Sequence, residues 1–95
     1  MEISTASNHV KINGNIKSVN DYQTIKTTLD SLITHEKSIT IDILDSISIT
    51  SSVIGYLTKL VQKEGIDLRI KVGNENLMEL FDDLNLVSLF HVTRL

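Results

Sequence analysis

The sequence predicts a small α/β domain with a mixed, mostly parallel sheet of four to five strands and three helices mainly on one face. The first observation is that two kinds of segment follow one another along the chain. In one kind, rich in β-branched residues, polar and apolar residues alternate; in the other, apolar residues recur at the helical period. The second is size, because a chain of 95 residues normally builds one core, so residues 1–95 are expected to form a single domain. The third is composition: 41% apolar but only 4% aromatic residues indicate an aliphatic core.

The first two segments read as strands. Residues 1–7 are weak strand material with Ile3 as the main apolar residue, and residues 9–12 alternate polar and apolar. Asn13-Gly14 is a hairpin signal, but only Ile16 lies beyond it before the next helix begins. We therefore expect a bend or bulge at Gly14 rather than a full hairpin.

The first helix is predicted to begin at Ser18 and to end near residues 34–35. Ser18 and Asp21 have the spacing of a capping box, with Asp in place of the usual Glu. The apolar residues that follow recur at helical period and predict one buried stripe: Tyr22, Ile25, Leu29, Leu32 and Ile33.

The second helix follows the most strand-like segment of the chain, residues 39–44, which is dense in β-branched residues. It is expected to span about residues 52–64, with Gly65 in the left-handed conformation after it. Its stripe is predicted to contain Val53, Tyr56, Leu57, Leu60 and Val61.

Residues 66–72 alternate cleanly and predict a fourth strand, after which Gly73-Asn74 can cap the third helix. That helix is expected to turn Leu77, Leu80, Phe81 and Leu84 inward, and residues 90–95 to form a short last strand. The predicted order is β-β-α-β-α-β-α-β, which implies right-handed crossovers and a largely parallel sheet.

Composition also narrows the function. The formal net charge is −3 and the nine Lys and Arg residues are scattered, which argues against nucleic-acid binding. There is no cysteine, no apolar run that could span a bilayer, and no secretory signal at the start. We expect a cytoplasmic protein without membrane insertion, either a monomer or a weak dimer, and we expect no cofactor and no metal.

A cluster of hydroxyl groups lies where the third strand leads into the second helix: Thr50, Ser51 and Ser52. Backbone N–H groups are unpaired at a helix start and the helix dipole presents its positive end there. A phosphate on one of these residues would therefore find hydrogen-bond donors and a favourable field. An ordinary N-cap has the same composition, so both interpretations stay open on the residues alone.

The segment from Asp45 through Thr50-Ser51-Ser52-Val53 to Leu57 resembles the STAS domain, the fold of bacterial anti-sigma factor antagonists and of sulfate-transporter tails. The family pattern there is an apolar strand, a short loop and then Asp-Ser-Ser-Gly opening a helix. Residues 10–16 look like the family's Gly-x-Leu-Asp strand and turn, and residues 84–92 look like its last helix and closing strand. Three positions depart from the pattern: Thr50 replaces Asp, Val53 replaces Gly, and Lys17 replaces the Asp of the earlier turn.

The resemblance implies a non-catalytic regulatory domain that binds a protein partner. In phosphorylated antagonists a partner serine kinase, which is also the anti-sigma factor, modifies the second serine, and this position corresponds to Ser52, with Ser51 beside it. The expected partner surface contains Ser48, Thr50, Val53, Ile54 and Tyr56, with Ile54 as the exposed hydrophobic residue. The alternatives are a constitutive STAS adaptor, such as a subunit of a lipid-transport ATPase complex, and a module that senses an anion or a nucleotide.

The Asp and His residues elsewhere in the chain do not predict a metal site or a catalytic site. Asp42 and Asp45 lie three residues apart, so on a strand they point to opposite faces and cannot share a metal ion. Asp45 is better explained as a turn former whose carboxylate accepts hydrogen bonds from backbone N–H groups. His9, His35 and His91 are expected to be surface residues, and no spacing predicts a catalytic triad.

Overall fold

A computed structural model describes all 95 residues of the chain. Five strands and three helices follow one another in the predicted order. They are β1 (Glu2–Ala6), β2 (His9–Asn13), α1 (Val19–Leu32), β3 (Ser38–Ile43), α2 (Ser51–Gln62), β4 (Asp67–Val72), α3 (Glu75–Asp83) and β5 (Val92–Arg94).

The strands form one mixed sheet in the order β1-β2-β3-β4-β5. The edge strand β1 is antiparallel to β2, and every other neighbouring pair is parallel. In the register, Val10 lies beside Ile41 and Ile41 beside Ile70, so apolar side chains form continuous rows across the sheet. Each parallel connection contains a helix, which confirms the predicted α/β fold with a mostly parallel sheet.

The helices bury one face of the sheet. Burial alternates along β2 and β4, and the buried positions belong to a cluster of 22 residues that also contains the inward residues of α1, α2 and α3. The core is aliphatic apart from Tyr56, Phe81 and Phe90, and the two Phe rings meet edge to face with centroids 6.1 Å apart. No helix packs over the other face, so its polar side chains remain at the surface of a two-layer domain.

Local signals set most element boundaries as expected. The capping box of α1 is present, because Ser18 Oγ accepts from the Asp21 N–H and the Asp21 side chain accepts from the Ser18 N–H. Gly14 and Gly65 have φ angles of +85° and +68°, in agreement with a bend after β2 and a left-handed residue after α2. The chain continues from Gly14 into α1 without a hairpin.

The C-terminal part differs from the expectation. The last strand contains only Val92–Arg94, because hydrogen-bonded turns fill the segment between α3 and β5, as in the bond from the Phe90 N–H to the Leu86 carbonyl. Leu84 was predicted to point inward and this is wrong: it caps the end of α3 and is 46% exposed. The helical stripe ends one turn earlier, at Phe81.

Candidate functional site

The loop between β3 and α2 is held in place by hydrogen bonds to the loop after β2. Asp45 Oδ1 accepts from the Gly14 N–H at 2.7 Å, so this carboxylate binds a backbone N–H as expected, but that of the loop after β2 rather than of its own turn. Ser46 is fully buried, and its hydroxyl accepts from the Ile16 N–H at 3.1 Å and donates to the Ser48 carbonyl at 2.6 Å. Since the carboxyl ends of β2 and β3 meet at the same edge of the sheet, these bonds fix the two loops as one surface.

The hydroxyl cluster occupies the first turn of α2. Thr50 is the N-cap, with φ −84° and ψ 155°, and its Oγ1 accepts from the Val53 N–H at 3.3 Å. Ser51 and Ser52 are the first two helical residues and both are exposed. The first turn of α2 holds no acidic residue, so nothing on the helix itself neutralises the positive end of its dipole.

A cavity of about 310 Å³ lies between the starts of α1 and α2, and Lys17, Thr50 and Ser52 are among its lining residues. Lys17 therefore lies at the same cavity as Ser52, the candidate phosphoacceptor. On the α1 side, the hydrogen bond from the Lys17 backbone N–H is the main cause that lowers the pKa of Asp21. Asp21 is thus held ionised by its capping bonds. The side-chain ammonium of Lys17 is a separate group and takes part in none of the ion pairs of the chain.

Two of the residues expected to contact a partner are buried instead. Val53 is 1% exposed and Tyr56 is 6% exposed, since both lie on the stripe of α2 that faces the sheet and α1. The prediction that their side chains face a partner is therefore wrong. Burial, followed by the hydrogen bond to Asp30, raises the pKa of the Tyr56 phenol, so the phenol stays neutral and acts as a donor inside the fold.

Ile54 is half-buried and packs against the core, so it is not the exposed hydrophobic residue of this surface. That description fits Val19, which is 76% exposed at the start of α1, and Ile47, which is 52% exposed in the loop before α2. Sequence analysis missed both residues. Ile47 lies in a loop where no periodicity assigns a direction, although an apolar residue next to a serine-rich helix start was a usable signal.

Of the other sequence candidates, Ser48 belongs to this surface and Asp42 lies apart from it. Ser48 is exposed in the loop, as expected of a contact residue. Asp42 lies on the sheet face that carries no helix, and its neighbour there is His9, whose ring is part of the exposed surface. No group of three or more His, Cys, Asp and Glu side chains has the arrangement of a metal site, and none of the helices has the length and hydropathy of a membrane-spanning segment.

Comparisons of this chain with family models, with curated proteins and with solved structures gave no match in any of the three.

Proposed function

We propose that this chain is a non-catalytic regulatory module of the cytoplasm that resembles an anti-sigma factor antagonist. It binds a protein partner through the surface formed by the loop before α2 and the starts of α1 and α2. Phosphorylation of Ser52 by a partner serine kinase then weakens that complex. The observation that carries the proposal is the exposed Ser51-Ser52 pair on a helix start without acidic residues.

The helix start suits a switch that acts through charge. A phosphoserine brings a charge near −2, which is stabilised at a helix N-terminus by the dipole and by free backbone N–H groups. Lys17 at the shared cavity adds a positive charge on the same side. The modified protein would therefore stay folded while its outer surface changed from neutral to strongly acidic.

The exposed apolar residues beside the serines favour a protein as the ligand of this surface. Ile47 lies five residues before Ser52 and is held outward by the hydrogen bond from its N–H to Asn15 Oδ1, at 3.1 Å. An exposed isoleucine on a fixed loop loses contact with water when a partner covers it, which stabilises the complex. A phosphate introduced at the rim of that contact would repel acidic groups of the partner and cost desolvation.

The decisive experiment incubates the purified protein with ATP and any serine kinase encoded beside its gene, and locates any phosphate by mass spectrometry. We expect one phosphate on Ser52, loss of the label in Ser52→Ala, and no change in Ser88→Ala. Ser88 is a matched control, because it is also exposed but precedes β5, at the opposite edge of the sheet. A phosphate that persists in Ser52→Ala would contradict the assignment.

Binding is measured on the same kinase by calorimetry. Ser52→Asp is expected to weaken the complex by more than about tenfold, while Ser88→Asp leaves it unchanged. Ile47→Ser should also weaken it, whereas Leu84→Ser, at a residue with similar exposure beyond the far end of α3, should not. A stable complex with an ATPase that ignores both ATP and Ser52→Asp would instead identify a constitutive adaptor.

A further inference from the structure

The face of the sheet opposite the helices has a cavity of its own. It measures about 480 Å³ and is lined by Ser4, Thr5, Ala6, His9, Lys11 and Asp42. Small-molecule sites commonly enclose roughly 300–1,000 Å³. This cavity lies on strands β1 to β3, and none of the residues assigned to the partner surface lines it.

Asp42 has an unusual environment for a residue on this face. It is only 9% exposed, and its Oδ2 lies 2.8 Å from Nε2 of His9. Its other oxygen, Oδ1, is buried and has no hydrogen-bond partner. Because Oδ1 is closed to solvent, a ligand in the cavity can reach this carboxylate only through Oδ2, the oxygen that lies against His9.

Positive charge lies next to this carboxylate without pairing with it. Lys11 and Lys71 flank Asp42 in the register of β2, β3 and β4, yet neither is in any ion pair of the chain. Only Lys11 lines the cavity. The cavity therefore offers one carboxylate and one free ammonium side by side, together with the hydroxyl group of Ser4, which lies beside Lys11 in the register of β1 and β2.

The lining excludes several classes of ligand. Ala6 is its only hydrophobic residue, so an apolar molecule would gain little by burial. No Phe, Tyr or Trp ring lines the cavity to stack on a base or a sugar. His9 and Asp42 alone supply fewer ligands than zinc or calcium sites use, and a simple anion would meet the charge of Asp42.

We infer that this cavity binds a small zwitterion of the amino-acid class. The ammonium group of the ligand donates to Oδ2 of Asp42, and His9 holds that carboxylate in place. The carboxylate of the ligand accepts hydrogen bonds from the Lys11 ammonium and from the hydroxyl group of Ser4. Each charge of such a ligand has a complementary group in the cavity, which is not true of an anion or a cation alone.

The test uses the ¹⁵N-labelled protein, titrated in two-dimensional NMR spectra with glycine, L-serine, L-glutamate and L-lysine in separate experiments. At least one of them should give saturable shifts of the amides of residues 4–11 and 40–42, with a Kd of about 1 mM or tighter. Acetate and methylammonium, each carrying one of the two charges, should not saturate at the same concentrations. If none of the four amino acids saturates, or if acetate alone gives the same shifts, the inference is wrong.

Three variants assign the binding to the cavity. Lys11→Gln and Asp42→Asn should each lower the affinity for the amino acid that binds by about tenfold or more, because a charged hydrogen bond is lost. Lys71→Gln is the matched control, since it removes the lysine on the other side of Asp42 and should leave the affinity unchanged. Lys11 is an exposed residue, so Lys11→Gln keeps the test valid should Asp42→Asn perturb the fold. Equal losses in Lys11→Gln and Lys71→Gln would indicate diffuse charge attraction and would overturn the assignment.

Discussion

Tyr56 of α2 donates a hydrogen bond from its hydroxyl group to Oδ1 of Asp30 on α1, across 2.5 Å. Lys26, one turn before Asp30, binds the other carboxylate oxygen at 2.8 Å, and its ammonium lies 5.7 Å from the centroid of the Tyr56 ring. These three side chains are the polar link between two helices that otherwise meet through apolar contacts. The link lies behind the candidate partner surface and fixes the position of α2 relative to α1.

Removing the phenol group should loosen this link. We expect Tyr56→Phe to lower the free energy of unfolding by about 1–2 kcal/mol, because the ring still fills its site but the bond to an ionised acceptor is lost. The measurement is urea denaturation followed by circular dichroism. Tyr22→Phe is the matched control, since Tyr22 has no hydrogen bond through its hydroxyl group and should unfold like the parent. Equal losses in both variants would contradict the role of the bond.

The same link predicts a dependence of stability on pH. The hydrogen bond from Lys26, and next the one from Tyr56, lower the pKa of Asp30 below its usual 3.8. A lowered folded-state pKa contributes stability that is fully present above the unfolded pKa of about 3.9 and is lost as the pH falls through the folded value.

We therefore expect the parent and Asp30→Asn to differ in unfolding free energy at pH 7 and to converge as the pH falls through the lowered folded-state pKa of Asp30. Unfolding curves recorded from pH 7 down to pH about 2.5 test this. The side chain of Asp30 is 45% exposed, so solvent screening keeps the difference small, about 1 kcal/mol. A difference that stays constant across the whole range would show that ionisation of Asp30 plays no part.

Much of this fold follows from local signals in the sequence. The alternation of residues 66–72 and the Ser18-Asp21 capping box each act over a few residues, and the structure has both as expected. The periodicity of α2 placed Val53 and Tyr56 on the apolar stripe, where the structure has them. The error was to assign them also to a partner surface, because residues near a helix start were treated as exposed.

The pairing of His9 with Asp42 could not be found in this way. The two residues are 33 positions apart, and their contact depends on β2 lying parallel to β3 in one particular register. No local pattern encodes that register, since it depends on which residues of the two distant strands lie side by side, such as Val10 and Ile41. The same holds for the burial of Ser46, because it depends on the hydrogen bond to its hydroxyl group from the Ile16 N–H, 30 positions away in the chain.

Substitution of glycine by alanine should have opposite effects on stability at two positions, Gly73 and Gly55. A Cβ on Gly73 would lie 2.2 Å from the Leu44 carbonyl oxygen, whereas a Cβ on Gly55 would meet nothing within 4 Å. We expect Gly73→Ala to lower the free energy of unfolding by about 1–3 kcal/mol, because backbone must shift at the end of β3. Gly55→Ala, in the interior of α2, should raise it by about 0.5–1 kcal/mol through helix propensity. Thermal and urea unfolding of both variants check the pair, and a stabilising Gly73→Ala would contradict the close approach.

Of the hydroxyl residues at the start of α2, Thr50 should stabilise the fold and Ser52 should not. Thr50 Oγ1 accepts the Val53 N–H as the N-cap, so Thr50→Ala is expected to cost about 1 kcal/mol of stability. Ser52 makes no side-chain hydrogen bond and is exposed, so Ser52→Ala should change the unfolding free energy by less than about 0.5 kcal/mol. Urea unfolding of both variants at one pH measures the contrast.

The contrast matters for function, because a loss of partner binding in Ser52→Ala or Ser52→Asp can be attributed to the surface only if the fold is intact. A Ser52→Ala variant as unstable as Thr50→Ala would mean that Ser52 helps to cap the helix, and a phosphate there would then act by disrupting the start of α2.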